Sequence, residues 1–294
     1  MAPTTRELWQ ATEAVHAVAY FAPEVADAVA AAGVPGWWRG YFAGRAAPMG
    51  VTDPSVVIAL FANFAPAMVE RCLPSAWKGA GPREVLAART EGLEAAFRRF
   101  DEPDGALTAA LEPVLDLLDR AADRAPTLGR PLAAAWARHR DRVLTGPGEP
   151  SPAMRAWLAT TVLREQRGDA HVAAVANAGL DGCEVLVTMV GTGRVPAEML
   201  REARGWTADE WQSATDRLVA RGLVHPDGRL TSAGMALRIA LEDVTDRAST
   251  VAWAALDDDE RTEVHRALRP VGTLLTERVP IRVPNPMGWE PLGS

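Results

Sequence analysis

"TTVLREQRGDAHVAAV", residues 160–175, decides how this chain is read. Arg164, Glu165, Arg167, Asp169 and His171 interrupt an alanine- and valine-rich segment with the spacing of a helix. One stripe of that helix runs Trp157, Thr161, Arg164, Gly168, His171, Val175. Its neighbour runs Leu158, Val162, Glu165, Asp169, Val172, Ala176. Side chains three and four apart share a face, and both stripes are apolar at their ends and polar in the middle. The remaining side, Thr160, Leu163, Gln166, Arg167, Ala170 and Ala174, reads as a second or partly solvated face. Phasing therefore places Arg164, Glu165, Asp169 and His171 inside, and leaves Arg167 out.

Unpaired charges inside cost several kcal/mol each, so these four must be paired, hydrogen-bonded or turned toward a cavity. Glu165 and Asp169 are like charges one turn apart, an arrangement that can raise a carboxyl pKa. Gly168 at mid-helix costs about 1 kcal/mol against alanine and predicts close approach by another backbone or a ligand. Two readings follow: a buried ion-pair network, or the polar wall of a pocket.

Outward from this helix, the chain is all-α by pattern. Helical spacing recurs over 5–21, 53–73, 82–100, 105–124, 129–145, 152–178, 180–191, 196–204 and 208–221, with a last long helix opened by "TSAG". A short helix between tight turns is predicted within 33–50, and Asp53 followed by Pro54 marks a helix start. The stretch "TGPGEPSP" at 145–152 is the clearest linker. It divides an N-terminal helical domain (1–147) from the polar helix with a helix-turn-helix (148–270), and an extended proline-rich tail is predicted at 271–294.

A chain of 294 residues with 48% hydrophobic content can bury a large core. No apolar run approaches the ~18 residues of a membrane span, and no basic start precedes an apolar block at the N-terminus. Neither a membrane nor a secretory route is expected. Cys72 and Cys183 stand alone in separate helices, which suggests a reducing cytoplasm and two small buried side chains. Lys78 is the only lysine, and the net charge is −7.

Other candidates for a pocket are scattered. His16 and Tyr20 are one turn apart on the first helix, "WWRGYFAGR" holds Arg39, Tyr41 and Arg45, and Asn63 is a polar residue in an apolar helix. Arginines among aromatics can stack, clamp an oxyanion or simply snorkel. No glycine-rich phosphate loop, zinc-protease motif or nucleophile elbow is present, so no cofactor is expected. The spacing of Asp169 and His171 splays them apart, so no metal is expected either.

Residues 194–236 carry "TADEWQSATDRLVARGLV", "HPDGRL" and "TSAG". This segment resembles a MarR-like winged helix-turn-helix with a small β-wing. The whole chain also resembles an actinobacterial helix-turn-helix family of unassigned function, through His16–Glu24, Trp38–Gly50 and Leu163–Glu184. Gln166 and Ala170 stand where that pattern has His and Gly. The second helix of the motif, which would read base edges, starts with Asp209 and Glu210 and continues to Asp216. Carboxylates facing phosphate disfavour DNA as a partner, and a packing or dimerisation role is the expectation.

The leading expectation is a cofactor-independent protein acting on a small molecule, by a cyclisation, elimination or hydrolysis in secondary metabolism. Glu165, Asp169 and His171 would be the acid or base. Arg164, His16, Tyr20, Arg39, Tyr41, Arg45 and Asn63 would bind the substrate. The alternative is a ligand-responsive DNA-binding regulator, and a homodimer or protein partner stays open.

Overall fold

A computed structural model describes residues 2–279 and Asn285. In chain order the helices are α1 (Thr5–Phe21), α2 (Pro23–Ala31), α3 (Trp37–Ala46), α4 (Pro54–Leu60), α5 (Pro66–Gly79), α6 (Pro82–Asp101), α7 (Ala106–Leu111) and α8 (Leu115–Arg124). They continue with α9 (Pro131–Leu144), α10 (Pro152–Asn177), α11 (Gly182–Val190), α12 (Ala197–Ala203), α13 (Ala208–Ala220), α14 (Ser232–Trp253) and α15 (Asp258–Arg278). Many start where the sequence supplies a preset φ, an oxygen for the free N–H groups, or both. Asp53 and Ser151 cap α4 and α10 just ahead of a proline, and Asp181, Thr207 and Asp257 form reciprocal capping boxes with Glu184, Glu210 and Glu260.

α10 is the axis of the molecule, flanked by α1, α8, α9 and α14. Being covered on all sides, it buries nearly every residue from Ala153 to Ala170. Gln166 and Arg167, expected on a partly solvated face, are buried too. α14 covers that side: Gln166 Nε2 donates to Ala248 O at 2.9 Å, and Arg167 Nη1 pairs with Asp246 at 2.6 Å. Gly168 also differs from expectation. A methyl group there would meet only Glu165 Oε2 at 3.7 Å among the described residues, an ordinary contact, so no neighbouring backbone presses on it.

One large core takes Leu8–Ala22 from α1, Leu93–Phe100 from α6, Trp136, Met154–Leu163 from α10, and Val264–Leu275 from α15. It runs across the 145–152 linker, so residues on both sides share one interior. A second core joins α11 to α14, and two smaller ones lie among α2 to α6. Residues 271–278, expected in an extended tail, instead continue α15 and bury Val271 and Leu275. The rest of that tail, apart from Val279 and Asn285, lies outside the described residues.

The segment 53–73 is two helices, because Pro66 forces Ala65 into extended backbone and begins α5 anew. The helix-turn-helix order of α12 and α13 is present. The β-wing is not: Val224 and Leu230 form a single antiparallel bridge, and the described residues contain no strand. Thr231 and Gly234 fold back on Leu223 and Gly222 and leave too little length for a ribbon. Among the described residues no single helix is long and apolar enough to cross a membrane.

Candidate functional site

Glu165 is fully buried at the centre of α10 and is completely paired. Arg45 on α3 grips it side-on, Nε donating to Oε1 at 3.1 Å and Nη2 to Oε2 at 2.7 Å. Arg164 Nη1 donates to both oxygens at 3.1 Å. Burial would raise the Glu165 pKa, but the two guanidinium groups outweigh it and hold the carboxylate below its ordinary range. Arg164 also lies 3.9 Å from Glu13 Oε1, whose other oxygen accepts from Trp9 Nε1 at 3.1 Å. Burial pushes Glu13 up, toward its neutral form.

The network continues toward α1. Arg45 Nη1 donates to Tyr41 Oη at 3.0 Å. Across the ring contact with Tyr41, 5.0 Å between centroids, Tyr20 Oη lies 2.8 Å from His16 Nε2, and His16 Nδ1 lies 3.0 Å from Thr161 Oγ1. Burial, with Arg164, Arg89 and Arg45 nearby, drives His16 well below its usual pKa, so the ring is neutral. The two phenols are biased in opposite directions. Burial raises Tyr20 to about 12, whereas at Tyr41 the charges of Arg45, Arg164 and Arg204 overcome burial and lower it.

Tyr20 and Tyr41 are also where this polar centre meets open space. A cavity of about 230 Å³ lies between α1, α2, α3 and α6. Its apolar lining includes Val25, Val29, Val34 and Trp37, and its polar lining is Tyr20, Tyr41, Asp27 and Arg89. Trp37 stacks on Tyr41, 5.5 Å between centroids, and its Nε1 donates to Tyr20 O at 3.0 Å. Gly36, with φ of 98°, lets the chain turn sharply into α3 at the cavity edge.

Arg89 is the group that phasing of the central helix did not reach. It is 3% exposed, and its guanidinium rests 5.4–5.6 Å from the ring centroids of Tyr20, Trp136 and Trp157. Nε and Nη2 have no hydrogen-bond partner among the described residues. Burial lowers its pKa, partly offset by Tyr20. Gly44 makes room for it, since a methyl group there would sit 2.3 Å from Arg89 Nη1. The signal was available: Arg89 shares the buried face of α6 with Val85, Ala88, Gly92, Leu93 and Ala96.

The remaining sequence candidates lie elsewhere. Asp169 Oδ2 accepts the Ala133 N–H at 3.0 Å, serving the open start of α9, and Oδ1 has no hydrogen-bond partner among the described residues. Burial raises its pKa to about 6. His171 Nδ1 meets Thr245 Oγ1 at 3.1 Å on α14, and burial lowers its pKa to about 4. Because the Thr245 hydroxyl donates to Leu241 O, the imidazole Nδ1–H is the donor. Arg39 is exposed. Asn63 lies in the turn before α5, where its carbonyl accepts from Trp206 Nε1 at 3.0 Å. Of the ten residues, only Tyr20 and Tyr41 line the cavity; Arg45 stands directly behind Tyr41, with Glu165 and Arg164 behind it.

On the helix-turn-helix, several arginines are paired locally. Arg217 pairs with Asp181 and Glu184, Arg221 donates to Gly179 O and Ala178 O, and Arg201 donates to Trp206 O. Arg204 is buried beside Phe64, 4.5 Å from the ring centroid. The outer face of α13 shows Asp209, Gln212, Ser213 and Asp216.

A family model described as a helix-turn-helix family matches residues 5–280, and the chain belongs to that family. No curated protein and no solved structure matches the chain.

Proposed function

We propose that this member of the helix-turn-helix family acts on a small molecule, which it binds in the cavity between α1, α2, α3 and α6. One observation carries the reading: a 230 Å³ aromatic-walled cavity backed by a cluster of buried arginines. Ligand pockets are concave and mostly apolar, with a few convergent polar groups, and this cavity has that composition. In this reading α12 and α13 serve as a packing module, in keeping with the locally paired Arg217 and Arg221 and the carboxylates on the outer face of α13. Any acid or base chemistry on the ligand would fall to the groups that line the cavity, Tyr20 and Tyr41, with Glu165 setting their field through Arg45.

Family membership favours a second reading, a regulator whose ligand state reaches a DNA-binding segment. The join at 61–65 supports it. Ala65 N donates to Arg204 O at 2.8 Å and Trp206 Nε1 to Asn63 O at 3.0 Å, so the pocket side and the helix-turn-helix are bonded directly. Duplex DNA retardation separates the two readings.

The pocket is tested with N-phenyl-1-naphthylamine, a neutral dye that brightens in apolar cavities. The expected result is saturable enhancement that is lost in Ala30→Trp, a cavity-filling change, at unchanged melting temperature. No enhancement, or enhancement untouched by Ala30→Trp, contradicts the reading.

A further inference from the structure

The arginines of this protein use one edge repeatedly. Nε and Nη2 lie side by side in the guanidinium plane and fit the two oxygens of a carboxylate. Arg45 offers that edge to Glu165, and Arg6 places both nitrogens on Asp246 Oδ2. Arg217 spreads the same pair over Glu184 and Asp181. Arg89 lines the cavity, and the same two nitrogens of its guanidinium are buried without a hydrogen-bond partner among the described residues.

Leaving two N–H groups of a buried cation unsatisfied is costly. No carboxylate among the described residues pairs with Arg89. Glu13 faces Arg164 and Trp9, and Asp169 accepts from the Ala133 N–H. Glu165 is already shared by Arg45 and Arg164. Arg89 is thus a buried cation beside an apolar cavity, with no paired carboxylate among the described residues.

We propose that Arg89 is the anion anchor of the cavity, and that the ligand is a monocarboxylate on a flat apolar body, its carboxylate on the Arg89 guanidinium and its body between Trp37, Tyr41, Val29 and Val34. Two unpartnered nitrogens side by side match a planar two-oxygen group better than a phosphate dianion. Asp27, an exposed carboxylate of the lining, repels a second negative charge at the outer end.

The proposal rests on the pocket reading above, and the experiment keeps the two apart. Binding of 2-naphthoate, 2-naphthamide and 2-naphthyl phosphate is measured by displacement of N-phenyl-1-naphthylamine from the full chain. The proposal predicts that naphthoate binds at least about 10-fold tighter than the isosteric amide, the equivalent of 1.4 kcal/mol. Naphthyl phosphate should be weaker than naphthoate. In Arg89→Met the naphthoate-to-amide ratio should fall to about one while the dye still binds, and Arg89→Lys should recover only part of it. A ratio near one in the unmodified chain, or phosphate binding tighter than carboxylate, overturns the carboxylate assignment and leaves the pocket standing. If the dye itself does not bind, the pocket reading fails and takes the assignment with it.

Discussion

Arg45 and Glu165, 120 residues apart in sequence, meet through two parallel N–H···O bonds of 3.1 and 2.7 Å in a site where neither side chain is more than 7% exposed. The charges of the central helix thus have a structural partner first, and the cavity lies one residue further out, beyond Tyr41. Replacing one member of such a buried pair leaves its partner charged and unsatisfied, at about 3–5 kcal/mol. Glu165→Gln is expected to lower the unfolding free energy by that much, because Arg45 and Arg164 both lose their anion. Chemical denaturation checks it, and a drop below about 1 kcal/mol would mean that the pair does not hold α3 to α10.

Two residues expected to act as acids or bases make opposite predictions for stability against pH. His171 has a folded pKa of about 4, below the ordinary value of about 6.5, so its contribution is present above pH 6.5 and is lost as pH falls toward 4. His139 behaves in the same way, with burial lowering it to about 4. Asp169 is raised to about 6, so the folded chain favours its protonated form, and stability falls as pH rises from about 4 to about 6. Asp169→Asn should therefore stabilise the protein at pH 8, on the order of 2 kcal/mol, and change little at pH 4. Melting curves at the two pH values measure the difference; equal effects at both would contradict the burial of that carboxyl.

Much of this was legible beforehand because α10 obeys its own periodicity. Glu165 and Asp169 point inward as their spacing from Leu158, Val162 and Val172 requires. Arg167 was misjudged because a helix enclosed on every side has no solvated face to detect, and α14 comes from 80 residues downstream. Tyr20 and Tyr41 were found as the two tyrosines of the chain in aromatic surroundings. Arg89 was not, although its phase on α6 is as clear as that of Glu165 on α10, because one arginine in "AARTEG" resembles a surface residue until α3 is laid across it. The cavity is a gap between α2 and α3, and gaps have no local sequence signature.

The join between the pocket side and the helix-turn-helix depends on Gly182, the first residue of α11. A methyl group there would lie 1.5 Å from Ala62 O, a backbone atom that cannot step aside. Gly182→Ala should cost more than about 3 kcal/mol, the scale of severe overpacking, and expose Trp206 to quenching by iodide. A variant of unchanged stability would show that α11 and the 61–65 turn are not in contact.

The outward face of α13 makes a prediction about nucleic acid. DNA affinity comes mostly from cations neutralising phosphate, and here Arg217 and Arg221 are spent on Glu184, Asp181 and the end of α10. Duplex DNA should show no retardation at 0.15 M salt, with or without 2-naphthoate. A shift that weakens steeply with added salt would favour the regulator reading.

The most direct test of the whole account is the position of a bound ligand. Crystals grown with 6-bromo-2-naphthoate would give an anomalous bromine signal that locates the ring. The account predicts one site between α2 and α3, with the carboxylate paired to Arg89 and the ring beside Trp37 and Tyr41. A bromine found only on the surface, or a cavity left without ligand density at a saturating concentration, would contradict it.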